Sequence, residues 1–274
     1  MDAVKEIQAR LDKEWEEKLS SLPEAVRNSG IELRRYYMTS KRFKGIFPSF
    51  CEHILEQYPG WVYVFVERDA IPVYTTMEVF RKERKLAIEN RLIAFTTDML
   101  PEKLKEDIAD FPIFTYEYNQ EAIERYLKTN RSNRTLLHDY LNQELGGLDK
   151  MLFVDTGYWG RCTGYMRKFF SKKETKDILL FGIKGSNCFR EDCTEENFTN
   201  LVESLKHGFE IEGLKRENGK IVVVKRPKHE HARNLHIADY SAIEILALEY
   251  IHGKVGEDRI KEVLERVKYT AARL

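Results

Sequence analysis

The chain has 274 residues, enough for one large α/β domain or for one domain with helical extensions. Charged residues make up 33% of it, and 45 lysines and arginines balance 45 aspartates and glutamates. This balance argues against a generally basic nucleic-acid-binding surface and against an acidic disordered tail, so nucleic acid is not the favoured partner.

The four cysteines are too few and too irregularly spaced for a disulfide scaffold or a structural zinc site. The N-terminal segment is charged and lacks the apolar core of a signal peptide, and no run of about 20 apolar residues occurs. We therefore expect an intracellular, cytoplasmic and soluble protein. Only four glutamines accompany the many lysines, glutamates and arginines, which is typical of heat-adapted proteins.

The first 58 residues are predicted to form a helical extension. Apolar residues recur at steps of three and four between residues 1 and 22, which indicates an amphipathic helix. Gly45 and Pro48 predict a loop before a short helix that ends near Tyr58. Tyr36 and Tyr37 could stack on bases, but packing explains them equally well.

Residues 59–226 are predicted to form an α/β core domain. Buried-type strands are predicted at 61–69, 91–97, 150–157 and 176–185, and residues 113–118 are a strand or an extended connection. Helical patterns separate most of these segments, and Pro72 and Pro101 stand near two helix starts. This alternation predicts a central, mostly parallel sheet flanked by helices.

Residues 227–274 are predicted to be a helical segment packed on the core. The core domain is predicted to end with a helix at 194–208 and a short β segment at 219–226. Two closing helices are predicted after it. Asp239, with Tyr240 and Ser241, precedes an apolar run and is predicted to cap the first closing helix.

Polar groups cluster at the ends of two predicted strands. Glu67, Arg68 and Asp69 end the first, and Asp155 ends the third. Active sites of open α/β sheets form outside the carboxyl ends of the strands, so we expect these groups to face one crevice.

The segment after Asp155 has the composition of a phosphate-binding loop. Its glycines permit close backbone approach, and the following helix offers unpaired N–H groups. Thr156, Arg161 and Thr163 can donate hydrogen bonds to a phosphate. The carboxylate of Asp155 suits ribose hydroxyls or a hydrated Mg²⁺. The aromatic pair at the loop tip can stack on a base. The residues concerned are Thr156, Gly157, Tyr158, Trp159, Gly160, Arg161, Thr163 and Gly164. An ordinary strand-to-helix turn explains the same pattern.

Two other constellations carry weaker signals. His229, His231 and His236 lie among lysines and arginines, which fits a metal site, a phosphate or nucleic-acid contact, or a solvated loop. Cys162 lies in the loop, but a cysteine phosphatase needs five residues between its cysteine and its arginine. Only four separate Cys162 from Arg167, which argues against that chemistry.

The segments "VFVERDAIPVYTTMEVF" (64–80) and "LFVDTGYWGRCTGYM" (152–166) resemble phosphoribosyltransferase-like α/β proteins over about residues 60–185. They are also similar to bacterial proteins with an Arg-Asp-x-x-Pro strand end and a V-D-x-G-x-x-G loop. The resemblance implies that Arg68 and Asp69 hold pyrophosphate or Mg²⁺. It also implies that the loop from Asp155 to Thr163 holds a phosphate-bearing ribose.

The chain departs from the transferase pattern in one respect that bears on activity. Asp155 is a single acid where active enzymes usually have two, and the chain has no Thr-Gly-Gly-Thr motif. Two functions therefore stay open. The first is a phosphosugar- or nucleotide-binding protein with a transferase-like site, in which Asp155, Arg68 and Asp69 are catalytic. The second is a non-enzymatic, partner-binding or self-assembling protein in which the loop is only a turn.

Overall fold

The computed structural model describes residues 2–67, 70–109, 116–130, 135–157, 159–183, 185–190, 209–227 and 232–272. The chain divides into two compact units, Phe47–Lys228 and a second formed by Met1–Ile46 with His229–Leu274. The division of the sequence after residues 58 and 226 stays a prediction.

The elements are named in chain order. The helices are α1 (Asp2–Ser20), α2 (Glu24–Arg27), α3 (Leu33–Phe43), α4 (Ile46–Gln57), α5 (Ile71–Glu83), α6 (Glu102–Ala109), α7 (Tyr116–Thr129), α8 (Leu136–Leu145), α9 (Arg161–Phe169), α10 (Ala232–His252) and α11 (Glu257–Ala272), with a 3-10 turn at Thr97–Met99. The strands are β1 (Val62–Val66), β2 (Asn90–Ile93), β3 (Lys150–Asp155), β4 (Glu174–Phe181), β5 (Cys188–Arg190), β6 (Phe209–Glu217) and β7 (Lys220–Pro227).

The larger unit contains a five-stranded, all-parallel sheet in the order β2-β1-β3-β4-β5. The predicted α/β fold is therefore confirmed. The central strands are continuous apolar runs because both of their faces are covered, and Tyr63 to Phe65 are fully buried. The order reverses direction between β1 and β3, which makes that pair the topological switch point of a doubly wound sheet.

Several segments differ from their predicted structure. Pro48, expected in a loop, lies in the first turn of α4, which begins at Ile46. The strand expected at 91–97 ends at Ile93, and the chain continues into the 3-10 turn. The prediction of a strand or extended connection at 113–118 was wrong for residues 116–118, which form the first turn of α7. Residues 113–115 and the helix expected at 194–208 lie outside the described residues.

Strands β6 and β7 form an antiparallel hairpin that contacts α8. Its two-residue turn, Asn218-Gly219, has φ values of 49° and 79°, which suit the right-handed twist of a hairpin. The side chain of Gln143 on α8 accepts a hydrogen bond from the N–H of Ile221 at 2.8 Å and donates to its carbonyl at 3.0 Å. The hairpin is thereby fixed to one helix of the larger unit.

The smaller unit consists of α1, α2, α3, α10 and α11. Asp239 lies inside α10, so the prediction that it caps this helix was wrong. Its buried carboxylate accepts hydrogen bonds from Arg35 Nε and Nη2 at 2.7 Å each, and from the Thr39 hydroxyl at 2.5 Å. The acid ties α10 to α3. Tyr36 is buried in α3, and Tyr37 packs edge-on against Trp15 at 5.7 Å, so both tyrosines are packing residues.

Of the helices in the described ranges, none combines the length and the apolar character that crossing a membrane requires.

Candidate site at the carboxyl edge of the sheet

The ends of β1 and β3 lie side by side, as the sequence predicted. Phe65 is in register with Val154, so Val66 and Asp155 end neighbouring parallel strands at the switch point. Glu67 follows β1, and its backbone N–H donates to the carbonyl of Ile93 at 2.7 Å. Arg68 and Asp69, predicted as catalytic residues, lie outside the described residues.

Asp155 is buried, with 5% of its surface exposed, and its side chain turns back over the loop. Its Oδ1 accepts a hydrogen bond from the N–H of Gly157 at 3.1 Å, the geometry of an Asx turn. A Cβ at position 157 would lie 2.8 Å from Oδ2, which is closer than real Cβ atoms come. Gly157 therefore makes room for the carboxylate of Asp155.

Gly160 is the N-cap of α9 and adopts the left-handed conformation, with φ 60° and ψ 28°. Glycine adopts this conformation without the penalty that a Cβ incurs. Because glycine has no side chain, it cannot cap the first N–H groups of α9, and these groups carry the positive end of the helix dipole. The loop thus delivers the start of a nine-residue helix to the carboxyl edge, with a glycine at its N-cap.

Two predicted residues are buried around this helix start. Thr156 is fully buried at the loop start, and Thr163 is fully buried in the first turn of α9. The hydroxyl of Thr163 donates to the carbonyl of Gly160 at 3.4 Å. Gly164 has a packing role, because a Cβ there would lie 2.2 Å from Nε2 of Gln120 on α7.

The remaining loop residues form a half-buried rim. The guanidinium carbon of Arg161 lies 5.9 Å from the ring centroid of Trp159, within the range of a cation–π contact. Tyr158, predicted to stack on a base, lies outside the described residues. Cys162 is buried in the hydrophobic core with 7% exposure, which agrees with the argument against a cysteine phosphatase.

A polar network that the sequence did not reveal supports the loop from behind. Tyr116 on α7 donates its hydroxyl to Asp177 Oδ2 at 2.8 Å, and Arg167 Nε on α9 lies 3.1 Å from Asp177 Oδ1. Arg167 Nη2 also donates to Gln120 Oε1 at 2.8 Å, while Gln120 Nε2 donates to the carbonyl of Gly160 at 3.4 Å. Burial and the nearby charge of Asp177 raise the pKa of Tyr116 above its ordinary value. The network holds α7, α9 and β4 in register behind Gly160.

Thr96 adds a further polar group at this edge, beyond the end of β2. Its hydroxyl is buried and has no hydrogen-bond partner within the described part of the chain. An unsatisfied buried hydroxyl has an energetic cost, which an additional partner would remove. No signal in the sequence marked this position, because "FTT" fits the strand predicted at 91–97.

In the ranges that the structure describes, no group of three histidine, cysteine or acidic side chains is placed to hold a metal ion. His229 and His231 lie outside those ranges, and His236 lies in α10 with its ring 4.0 Å from that of Tyr240. Burial lowers the pKa of His236 to about 4.

Comparisons with known proteins add no assignment, because no protein-family model matches the chain and no curated protein is detectably similar in sequence.

Proposed function

We propose that the protein binds a phosphate-bearing sugar or a nucleotide at the carboxyl edge of its parallel sheet. The observation that carries this proposal is the combination, at the switch point between β1 and β3, of a buried carboxylate and a helix start whose N-cap is a left-handed glycine. Ligands of open α/β sheets bind in this crevice, and helix N-termini bind phosphate.

The residues have complementary roles in this proposal. Asp155 accepts hydrogen bonds from ribose hydroxyls, as a carboxylate with two oxygens can do beside its bond to Gly157. The first N–H groups of α9 and the guanidinium of Arg161 donate to the phosphate. Thr156 and Thr163 line the turn, and Trp159 offers an aromatic face beside it.

A phosphoribosyltransferase-like reaction is the finer form of the proposal. In such a reaction pyrophosphate leaves while positive charge develops on the sugar, so a fixed carboxylate beside the ribose stabilises the transition state by electrostatics. Arg68 and Asp69, from the sequence, would contact the pyrophosphate. Mg²⁺ that binds with pyrophosphate needs only one or two protein carboxylates. Asp155 and Glu67 stand at the ends of the two switch-point strands, and Glu67 is paired with Lys225.

The test is calorimetric titration with ribose 5-phosphate and with phosphoribosyl pyrophosphate plus Mg²⁺, on wild type and on Asp155→Asn. We expect the wild type to bind at least one ligand and the variant to bind it at least about ten-fold more weakly, since a hydrogen bond to a charged group contributes about 1.5–3 kcal/mol. Thermal unfolding gives a second readout, because a ligand at 100 times its dissociation constant adds about 2.7 kcal/mol.

Asp149→Asn is the matched control, because Asp149 immediately precedes β3 at its other end and its side chain is 98% exposed. Binding that this control keeps and Asp155→Asn loses supports the proposal. If neither ligand binds to the folded wild type, or if both variants bind equally well, the loop is not a phosphosugar site.

A second function, a non-enzymatic partner-binding or self-assembling protein, is favoured by one specific observation. The loop satisfies several of its polar groups internally, since Asp155 bonds to Gly157 and Thr163 bonds to Gly160. A strand-to-helix turn with only an architectural role would look the same. Light scattering on the ligand-free protein tests self-assembly, and a monomer at all concentrations would contradict it.

A further inference from the structure

A cavity of about 430 Å³ lies at the opposite edge of the sheet from the Asp155 loop. It is open to solvent on one side and is lined by the end of α7, by α8, by the end of α9 and by the turn at residues 170–173 that precedes β4. All of these elements belong to the larger unit. The volume falls within the range of about 300–1,000 Å³ that small-molecule sites occupy.

The rim of the cavity is strongly positive. Lys128, Lys168, Lys172 and Lys173 line it, with Glu124 as the acidic counterpart. Lys168 and Lys128 both contact the Glu124 carboxylate, at 2.5 and 2.7 Å. Hydrogen bonds from these two lysines lower the pKa of Glu124 to about 2. The carboxylate thus stays ionised and holds two ammonium groups together at the rim.

The other two lysines add charge that this carboxylate does not balance. Lys173 donates to the carbonyl of Gly146 at 2.6 Å and so caps the end of α8, and its Nζ lies 3.6 Å from the exposed carboxylate of Asp149. Lys172 is exposed beside it. Four ammonium groups surround one concave surface, and two carboxylates contact them, Glu124 in the lining and Asp149 beside Lys173. The remaining positive charge attracts a multiply charged anion.

The wall of the cavity is apolar and aromatic. Phe169 stacks on His138, with ring centroids 5.0 Å apart and an interplanar angle of 19°, and Phe170 meets Phe169 edge-on at 4.8 Å. The imidazole is fixed in turn, because His138 Nε2 lies 2.9 Å from the Tyr165 hydroxyl. A half-buried aromatic ring held this firmly is suited to packing against a planar ring.

We propose that this cavity binds a nucleoside phosphate. The base packs against the wall formed by Phe169 and Leu127, and the phosphates lie among the rim lysines, which bind phosphate as point charges. The site is separate from the Asp155 loop and goes beyond the function proposed for that loop.

The experiment is calorimetric titration of the full chain with ATP, adenosine and inorganic triphosphate, each without divalent metal. We expect ATP to bind more tightly than either part, and its affinity to fall as NaCl is raised from 50 to 300 mM. Lys172→Glu should weaken ATP binding by at least about ten-fold, because it places a negative charge beside the phosphates. Lys128→Glu, on a different helix, should weaken it in the same direction.

Lys103→Glu is the matched control, with the same charge change on an exposed lysine of α6 outside the cavity. It should leave ATP affinity within two-fold of wild type. Equal weakening by the Lys103 and Lys172 variants would reduce the effect to net charge and overturn the site. Absence of ATP binding, or triphosphate binding as tightly as ATP, would also overturn it.

The two proposed sites are separated by the Asp155→Asn variant. ATP binding that survives in this variant and fails in Lys172→Glu supports the lysine cavity, whatever the loop binds. ATP binding with the reverse pattern places the nucleotide at the loop and overturns the cavity proposal.

Discussion

Asp155 and Asp177 lie on neighbouring strands of one sheet and are almost equally buried, with 5% and 6% of their surfaces exposed. Their surroundings differ. Asp177 lies within β4 and contacts the cation of Arg167 and the hydroxyl of Tyr116. Asp155 ends β3 and bonds to the backbone of a glycine loop. A buried acid that contacts a cation and a hydroxyl from two other helices holds elements together. An acid at a strand end, beside the start of a helix, has the position that the proposed ligand site requires.

The comparison separates stability from binding. A charge with fixed partners is costly to remove, because its partner is left in a partly buried position without compensation. Asp155 bonds to the backbone of a local turn rather than to an arginine and a tyrosine of two helices, so we expect its charge to contribute less to the fold. The variants below test that separation, in order of their expected effect on the free energy of unfolding.

Asp177→Asn should have the largest effect, a loss of about 3 kcal/mol. It removes the charge opposite Arg167, and hydrogen bonds to charged groups contribute about 1.5–3 kcal/mol each. Urea unfolding followed by circular dichroism measures the loss, with Asp149→Asn as the exposed control. A loss below 1 kcal/mol would show that Asp177 does not hold α7 and α9 to the sheet.

Gly160→Ala should cost about 2 kcal/mol, because a Cβ in the left-handed region costs about 1–2 kcal/mol. The new Cβ would also lie 3.0 Å from the Tyr116 ring. Gly147→Ala is the control, since a Cβ there meets no atom within 4 Å and its φ is not positive. The same urea titrations compare the two. Equal stability of both variants would mean that α9 can begin without a left-handed N-cap.

Much of the loop could be predicted from the sequence, because its signals are local. An apolar run ending at Asp155 predicts a buried strand, and glycines followed by a helical pattern predict a turn into a helix. The same kind of signal, Asn218-Gly219, marks the hairpin of β6 and β7, of which only the second strand was expected. Local patterns also predict the α/β class, since each strand and helix carries its own periodicity.

The network around Asp177 could not be predicted in this way. Tyr116 lies 61 residues from Asp177 along the chain, and Gln120 lies 40 residues from Gly160. Only folding brings them together. The wrong cap at Asp239 has the same origin, because its partner Arg35 is 204 residues away. A polar residue before an apolar run resembles a cap when that distant partner is unknown.

Tyr116→Phe sharpens the comparison by removing one hydroxyl from the network. We expect a loss of about 1.5 kcal/mol, because the hydroxyl donates to a charged acceptor in a buried position. Tyr118→Phe on the same helix is the control, since the Tyr118 hydroxyl donates to a neutral, exposed carbonyl at 2.9 Å. Urea midpoints for the two variants give the difference. If they agree, the bond between Tyr116 and Asp177 contributes nothing measurable to stability.

Asp155→Asn should have the smallest effect on the fold, within about 1 kcal/mol of wild type, because asparagine keeps an oxygen that can accept the N–H of Gly157. The same substitution at Asp177 removes a charge with an ionic partner, so the pair isolates what the charge does in each place. Urea unfolding and ligand titration on both variants complete the comparison. Asp155→Asn should unfold like wild type and lose its ligand, and Asp177→Asn should be less stable and bind while folded. A loss near 3 kcal/mol for Asp155→Asn would instead make both acids structural, and the turn at the end of β3 would then be architecture.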